Sequence, residues 1–284
     1  LRKIIDPESF LSHMRLAAEQ VGVVALQFRG KVANVGKSMP TDEDPVHRAA
    51  AEALSDVDLA SQEIILLSLA AHFPFVRLDA EEDTPLVERF AGNDSRYTVV
   101  IDPIDGTLNY LSLRGEFGVL IGLLEDDRFI ASLCHFPLRK ETFVAVRDRG
   151  AFRYDLSSRA GSRERVIAGT DSRLVYVNSG TGPEVIARVK AAGYEPARSG
   201  CSAIDSTVCA TGLAAAAITM RAPSIRRSVG TLISREAGGI LTLATGEPYD
   251  CTHPRGLTSL VVAESEWTGL QDLKRILRSD EGEN

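Results

Sequence analysis

The chain has 284 residues, a formal net charge of −7, 44% hydrophobic residues and 25% charged ones. That length holds one large domain or two intimate subdomains around a sizeable core, and the acidity argues against general nucleic-acid binding. No stretch approaches the roughly 18 apolar residues of a membrane span. The four cysteines, Cys134, Cys201, Cys209 and Cys251, form no C-x-x-C pair, which favours reduced thiols over a zinc site or disulfide framework. Leu1-Arg2-Lys3-Ile4-Ile5-Asp6 lacks a signal-peptide apolar core, so a cytoplasmic protein is expected.

Helical spacing of Phe10, Met14, Ala17, Val21 and Val24 predicts an amphipathic helix over 7–29, with Asp6 as N-cap and Pro7 at its first position. A polar loop follows over 30–45, then a second helix filling much of 46–73. Short apolar runs at 75–78 and 97–101 read as strands, each ending in acidic residues. Residues 117–155 read as an antiparallel meander with strands at 117–124, 129–135, 142–146 and 151–154. In the second half, strands are expected at 174–178, 214–220, 241–243 and 260–263, and helices at 183–192, 203–211, 228–237 and 266–278. Gly238-Gly239 supplies a helix stop. A soft boundary near 155–170 divides the chain into 1–160, carrying the acidic residues of interest, and 161–284. His135 and His253 read as structural, and Trp267 as packing for the last helix.

The run Val99-Val100-Ile101-Asp102-Pro103-Ile104-Asp105-Gly106-Thr107 carries the most chemistry. An apolar strand ends in two carboxylates three positions apart, and a glycine then permits a tight backbone path. Strand ends gather ligand sites in α/β folds, and like charges held close repel unless a cation sits between them. Mg2+ prefers such oxygen ligands. Glu81-Glu82 ends another strand, and Asp58 on the second helix is a further candidate. A haloacid-dehalogenase reading fails because its two aspartates stand two residues apart, and the chain has no G-x-x-x-x-G-K-[ST] phosphate loop.

Asp102-Pro103-Ile104-Asp105-Gly106-Thr107, with Asn109-Tyr110 after it, resembles the D-P-[IL]-D-G-T-x-N-[FY] signature of the inositol monophosphatase family. Glu81-Glu82 resembles its Glu-Glu pair. Gly200-Cys201-Ser202-Ala203-Ile204-Asp205 resembles its G-[ST]-x-A-x-[DN] segment, and Glu236-Ala237-Gly238-Gly239 its E-A-G-G. The run over 137–152 is similar too, and favours the inositol-phosphatase branch.

The resemblance implies a five-layered α/β/α/β/α sandwich with a large antiparallel sheet and a smaller mixed one. It also implies Mg2+-dependent hydrolysis of a small phosphate monoester, and a homodimer. By the same resemblance Glu81, Asp102 and the Ile104 carbonyl hold a first metal, and Asp102 and Asp105 a second. Glu82 and Asp58 lie near a third. Gly106 and Thr107 N–H groups bind phosphate, and the Thr107 hydroxyl, backed by a carboxylate, orients water. Gly200, Cys201, Ser202 and Asp205 contact substrate. Lys37 resembles part of a mobile loop on the metal side.

One position departs from the pattern. The family carries a Trp-Asp pair before E-A-G-G, and its Asp completes the second metal site; here the register places Ile225-Arg226. Three readings follow. Arg226 points away, or its guanidinium stands in for the second cation and grips phosphate, or the protein binds a phosphorylated ligand with impaired turnover.

Overall fold

The computed structural model describes residues 3–31, 56–157, 162–220, 224–254 and 259–263. Helix α1 (Pro7–Phe28) starts as the sequence predicts: the Asp6 carboxylate accepts from the Ser9 N–H at 2.9 Å, and Pro7 takes the first position, where no N–H is needed. Helix α2 covers Asp56–His72. Lys37, the rest of the second predicted helix, Trp267 and the predicted helix at 266–278 lie outside the described residues.

Seven strands form the large sheet in chain order: β1 (Arg77–Ala80), β2 (Tyr97–Asp105), β3 (Gly118–Glu125), β4 (Arg128–Phe136), β5 (Glu141–Val146), β6 (Gly150–Asp155) and β7 (Ser162–Val166). β1 and β2 run parallel, so the sheet is mixed rather than wholly antiparallel. The 16 residues between these two strands, 81–96, include a 3-10 turn (Pro85–Phe90) that carries the chain back to start β2 alongside β1. The predicted meander appears within one or two residues at each end. β7 was not predicted, because Ser-Arg-Glu-Arg-Val has almost no apolar face.

Alternation along the strands sorts side chains to two cores. Val99, Ile101, Val119, Ile121 and Leu123 pack under α1 and α2 with Phe10, Met14, Val21, Ile65 and Leu69. Val100, Leu120, Phe136 and Phe143 face the other way, onto helices α5 (Ser202–Ser206), α6 (Val208–Thr211) and α7 (Thr231–Glu236). Burying each such Leu, Ile or Phe contributes about 1.5–3 kcal/mol.

The second sheet has the order β11-β12-β10-β8-β9, from β8 (Leu174–Val177), β9 (Glu195–Ala197), β10 (Ala216–Met220), β11 (Ile240–Thr242) and β12 (Ser259–Ala263). Its inner face adds Ala217, Leu241 and Val262 to the middle core. Its outer face packs Val175, Val177 and Ile218 against Val185 and Val189 of α4 (Pro183–Ala191). The layers are therefore α/β/α/β/α, as expected.

Two predicted helices are broken. The one at 203–211 is α5 and α6, joined at Thr207, whose hydroxyl donates to the Ala203 carbonyl at 2.6 Å. The one at 228–237 is a 3-10 turn (Arg226–Ser228) followed by α7. Among the described residues no helix is long and apolar enough to cross a membrane. All four cysteines are free and buried.

Candidate active site

Strand β2 does not end at Asp102; it continues to Asp105. Asp102 pairs with Leu120 and Asp105 with Gly118, so three steps on β2 oppose two on β3. One extra residue is a β-bulge. It turns both carboxylates to the face that Leu120 and Val100 share, which strict alternation would have prevented at a spacing of three. That face looks into the middle layer.

Gly106 then takes a left-handed conformation (φ 84°) and caps α3 (Thr107–Ser112). A side chain there would also press on the Glu116 carbonyl at 3.1 Å and on the Cys201 Cβ at 3.2 Å. The rest of the motif is anchorage. Asn109 Nδ2 donates to the carbonyls of Glu116 and Ser199, each at 2.8 Å, and the buried Tyr110 hydroxyl donates to the Ala25 carbonyl at 2.9 Å. One side chain thus ties the turn to the second half and the next ties it to α1.

A cavity of about 370 Å³ opens above this turn. Glu81, Asp102, Asp105, Gly106 and Thr107 line it from the first half, and Gly200, Cys201, Ser202, Asp205 and Arg226 from the second. Most residues singled out from the sequence therefore meet in one place. Glu82 and Asp58 are not in that wall. The Glu82 main chain is clamped by buried Gln62, its N–H to Oε1 at 2.9 Å and its carbonyl from Nε2 at 2.6 Å. Asp58 is buried on α2. Ile104 is buried with Tyr110 and Phe117, and its carbonyl accepts from the Thr107 hydroxyl at 3.1 Å. The first helical turn lays the Thr107 hydroxyl over the carbonyl three residues back.

Burial, then the charges of Glu81 and Asp105 and a proton shared with Glu81, hold Asp102 well above the usual carboxylate range. Its Oδ1 is buried with no hydrogen-bond partner. Asp105 is also raised, by burial first, against the opposing pull of two hydrogen bonds on Oδ2, from Cys201 Sγ at 3.0 Å and the Ala203 N–H at 2.6 Å. Burial and the neighbouring Asp105 charge push the Cys201 thiol up, so it stays protonated and donates where the family pattern has a hydroxyl.

An orphaned carboxylate oxygen among like charges fits a hard cation. Among the described residues no three acidic, His or Cys side chains stand close enough to cage one. Mg2+ does not need a cage, since it is held by one or two carboxylates and keeps several waters. Asp102 with Glu81 meets that requirement.

Arg226 does not point away. Its Nη1 donates to Asp79 Oδ1 at 3.2 Å and to the Ala80 carbonyl at 3.4 Å, and its Nε lies 3.9 Å from Glu81 Oε2. Asp79 was missed from the sequence, although it sits in the same acidic strand end, Asp79-Ala80-Glu81-Glu82. Also missed were Arg198 in the cavity wall and Ser199, whose hydroxyl donates to Asp205 Oδ1 at 2.6 Å; Arg227, next to Arg226, lines the same wall. Burial raises Asp205 to about 7, with Ser199 and Arg227 pulling it down. Glu236 of the E-A-G-G run is outside the cavity; it accepts from the N–H groups of Asp148 and Gly150, each at 3.0 Å, and holds the β5–β6 turn.

The sequence matches the inositol monophosphatase family over residues 6–276. The Nus factor SuhB of Pasteurella multocida is 27% identical over 226 residues, which are 78% of this chain and 83% of that protein. Among solved structures, the IMPase of Thermotoga maritima superposes with a TM-score of 0.75 at 19% identity, covering 95% of this chain and 96% of its own. The extragenic suppressor protein suhB of Bartonella henselae superposes at 0.76 and 22% identity, covering 95% and 99%.

Proposed function

The chain belongs to the inositol monophosphatase family, and from that premise we propose that it hydrolyses a small phosphate monoester, an inositol monophosphate or a sugar phosphate, with Mg2+ as cofactor. The observation that carries the proposal is the buried, partnerless Oδ1 of Asp102, which lines a cavity of about 370 Å³ together with Glu81 and Asp105.

Glu81, Asp102, the Ile104 carbonyl and Asp105 would hold the ion, with Glu82 and Asp58 set back from it. Bound there, Mg2+ lowers the pKa of a coordinated water and offsets phosphoryl charge. The protein's own part is positioning, which phosphoryl transfer chiefly needs. The N–H groups at Gly106 and Thr107 face the phosphate. Thr107 holds the attacking water, by exchanging its hydrogen bond to Ile104 for one to that water. Gly200, Cys201, Ser202 and Asp205 meet the alcohol. Residues 1–160 thus carry the ion site and 161–284 the substrate loops, in a cytoplasmic homodimer.

A second reading has its own support. Arg226 brings a fixed positive charge to Asp79 and Glu81, which competes for the carboxylates an ion would use. On that reading the protein binds a phosphorylated ligand with little turnover, and Arg226 contacts phosphate. The SuhB relative is named a Nus factor; no observation on this chain carries that role.

Phosphate release from a panel of inositol, sugar and nucleotide phosphates, with and without Mg2+, tests the proposal, with Asp105→Asn as control. Mg2+-dependent release that Asp105→Asn removes supports hydrolysis. Tight ligand binding with no release from any compound supports the second reading.

A further inference from the structure

Two imidazoles stand together outside the cavity. His13 lies in the second turn of α1, and His72 is the last residue of α2. Their rings meet across the two helices, with centroids 3.9 Å apart and planes 40° from parallel. Each ring is pinned by its own helix. His13 Nδ1 lies 2.8 Å from the Ser9 carbonyl oxygen and His72 Nδ1 2.9 Å from that of Ser68, four residues back in both cases. A carbonyl oxygen can only accept, so each Nδ1 carries a proton and donates. In the neutral ring the lone pair is then on Nε2. Among the described residues no hydrogen bond or ion pair engages either Nε2. Buried Phe73 stands edge-on to His13, with ring centroids 5.8 Å apart, and limits how far that ring can swing.

Metal-binding histidines are prepared in this way. A carbonyl on one ring nitrogen fixes the tautomer and the ring's orientation, and the other nitrogen is left to ligate. Two imidazoles sharing an ion at about 2.0–2.1 Å keep their ring centres about 5 Å apart. The two rings therefore need to part by about an ångström, which side-chain torsions at a surface can supply. Imidazole suits transition ions such as Zn2+ and Cu2+, whereas Mg2+ prefers oxygen. Among the described residues no third His, Cys or acidic side chain is close enough to join the pair. Water fills the remaining positions.

We propose that His13 and His72 form a second cation site, for a divalent transition ion of the zinc class, which clips the end of α2 to α1. Neither residue lines the carboxylate cavity, and the site does not rest on the hydrolysis reading. An ion held by both helices binds the folded chain alone, so it adds stability by mass action.

Calorimetry with Zn2+ on the full, untagged chain tests this, in saturating Mg2+. Asp102→Asn is titrated alongside, so that an ion taken up in the cavity is not counted. One Zn2+ per chain is expected to bind outside the cavity in both proteins. His13→Gln or His72→Gln should weaken that binding by about 10-fold or more, and His253→Gln should leave it unchanged. Zn2+ should raise the melting temperature of the parent more than that of either variant. Metal-free melts show that the variants fold. Cu2+ should bind more tightly than Zn2+. Its electron paramagnetic resonance spectrum should show two nitrogen ligands in the parent and one in either variant, a difference that altered packing does not produce.

No Zn2+ binding outside the cavity overturns the proposal and leaves the two rings as a packing contact. So does binding that survives in both variants, or a parent spectrum without two nitrogen ligands.

Discussion

Arg226 Nη1 stands 3.2 Å from Asp79 Oδ1, which joins the 3-10 turn of the second half to the end of β1 in the first. Both side chains are largely covered, 27% and 17% exposed. Arg226→Met should therefore cost about 1–2 kcal/mol, more than an exposed pair, because it leaves Asp79 without this cation beside it. Arg226→Asp adds a carboxylate instead. It should melt lower than the parent without metal and gain more from Mg2+, since a ligand that binds only the folded state raises its stability. If the missing carboxylate limits turnover, Arg226→Asp also raises the rate at saturating Mg2+. An Mg2+ response no larger than the parent's contradicts this account of Arg226.

Asp205 sets a pH dependence. Its carboxyl is raised from 3.8 to about 7 by burial. Between those values the folded protein keeps a proton that the unfolded chain has released. The stabilisation is complete below the unfolded value and is lost as pH rises through about 7. Urea melts of the metal-free protein should show stability falling over that window, and Asp205→Asn should flatten the slope. An unchanged slope in the variant assigns the titration elsewhere.

Gly22 on α1 packs against His135 of β4. A methyl group at Gly22 would overlap the imidazole Nε2 and press on the Pro137 ring at 3.2 Å. The ring cannot step aside, because its Nδ1 is held by the Thr142 hydroxyl at 2.9 Å. Gly22→Ala should destabilise by about 1–3 kcal/mol, read by chemical denaturation. No loss would mean that α1 shifts freely on the sheet.

Glu236 is a structural acid. Its two carboxylate oxygens accept the Asp148 and Gly150 N–H groups, and its side chain is 8% exposed. Glu236→Ala should cost about 1–3 kcal/mol and speed hydrogen exchange at the β5–β6 turn first. Exchange that speeds uniformly, with no local excess, contradicts a local clamp.

The large sheet and α1 were legible because apolar side chains recur at the period of each element and Asp6-Pro7 marks a start. β7 and β9 were not, since Ser-Arg-Glu-Arg-Val and Glu-Pro-Ala are strands by virtue of their neighbours rather than of an apolar face. Glu81, Asp102 and Asp105, singled out by type and spacing, come together in one cavity wall. The bulge that turns Asp102 and Asp105 to one face was not legible, because it depends on register against β3. The partner of Arg226 was hidden for a similar reason: 147 positions separate it from Asp79, and only the layered packing brings them together.

On the proposed reading, Asp102 is the centre of an ion-assisted hydrolysis. The most direct measurement is the initial rate of phosphate release from inositol monophosphate as Mg2+ is raised from zero, for the parent and for Asp102→Asn. The account predicts a saturable rise in the parent and a rate lower by about 100-fold or more in the variant. A parent rate indifferent to Mg2+, or a variant that follows the parent's curve, contradicts it.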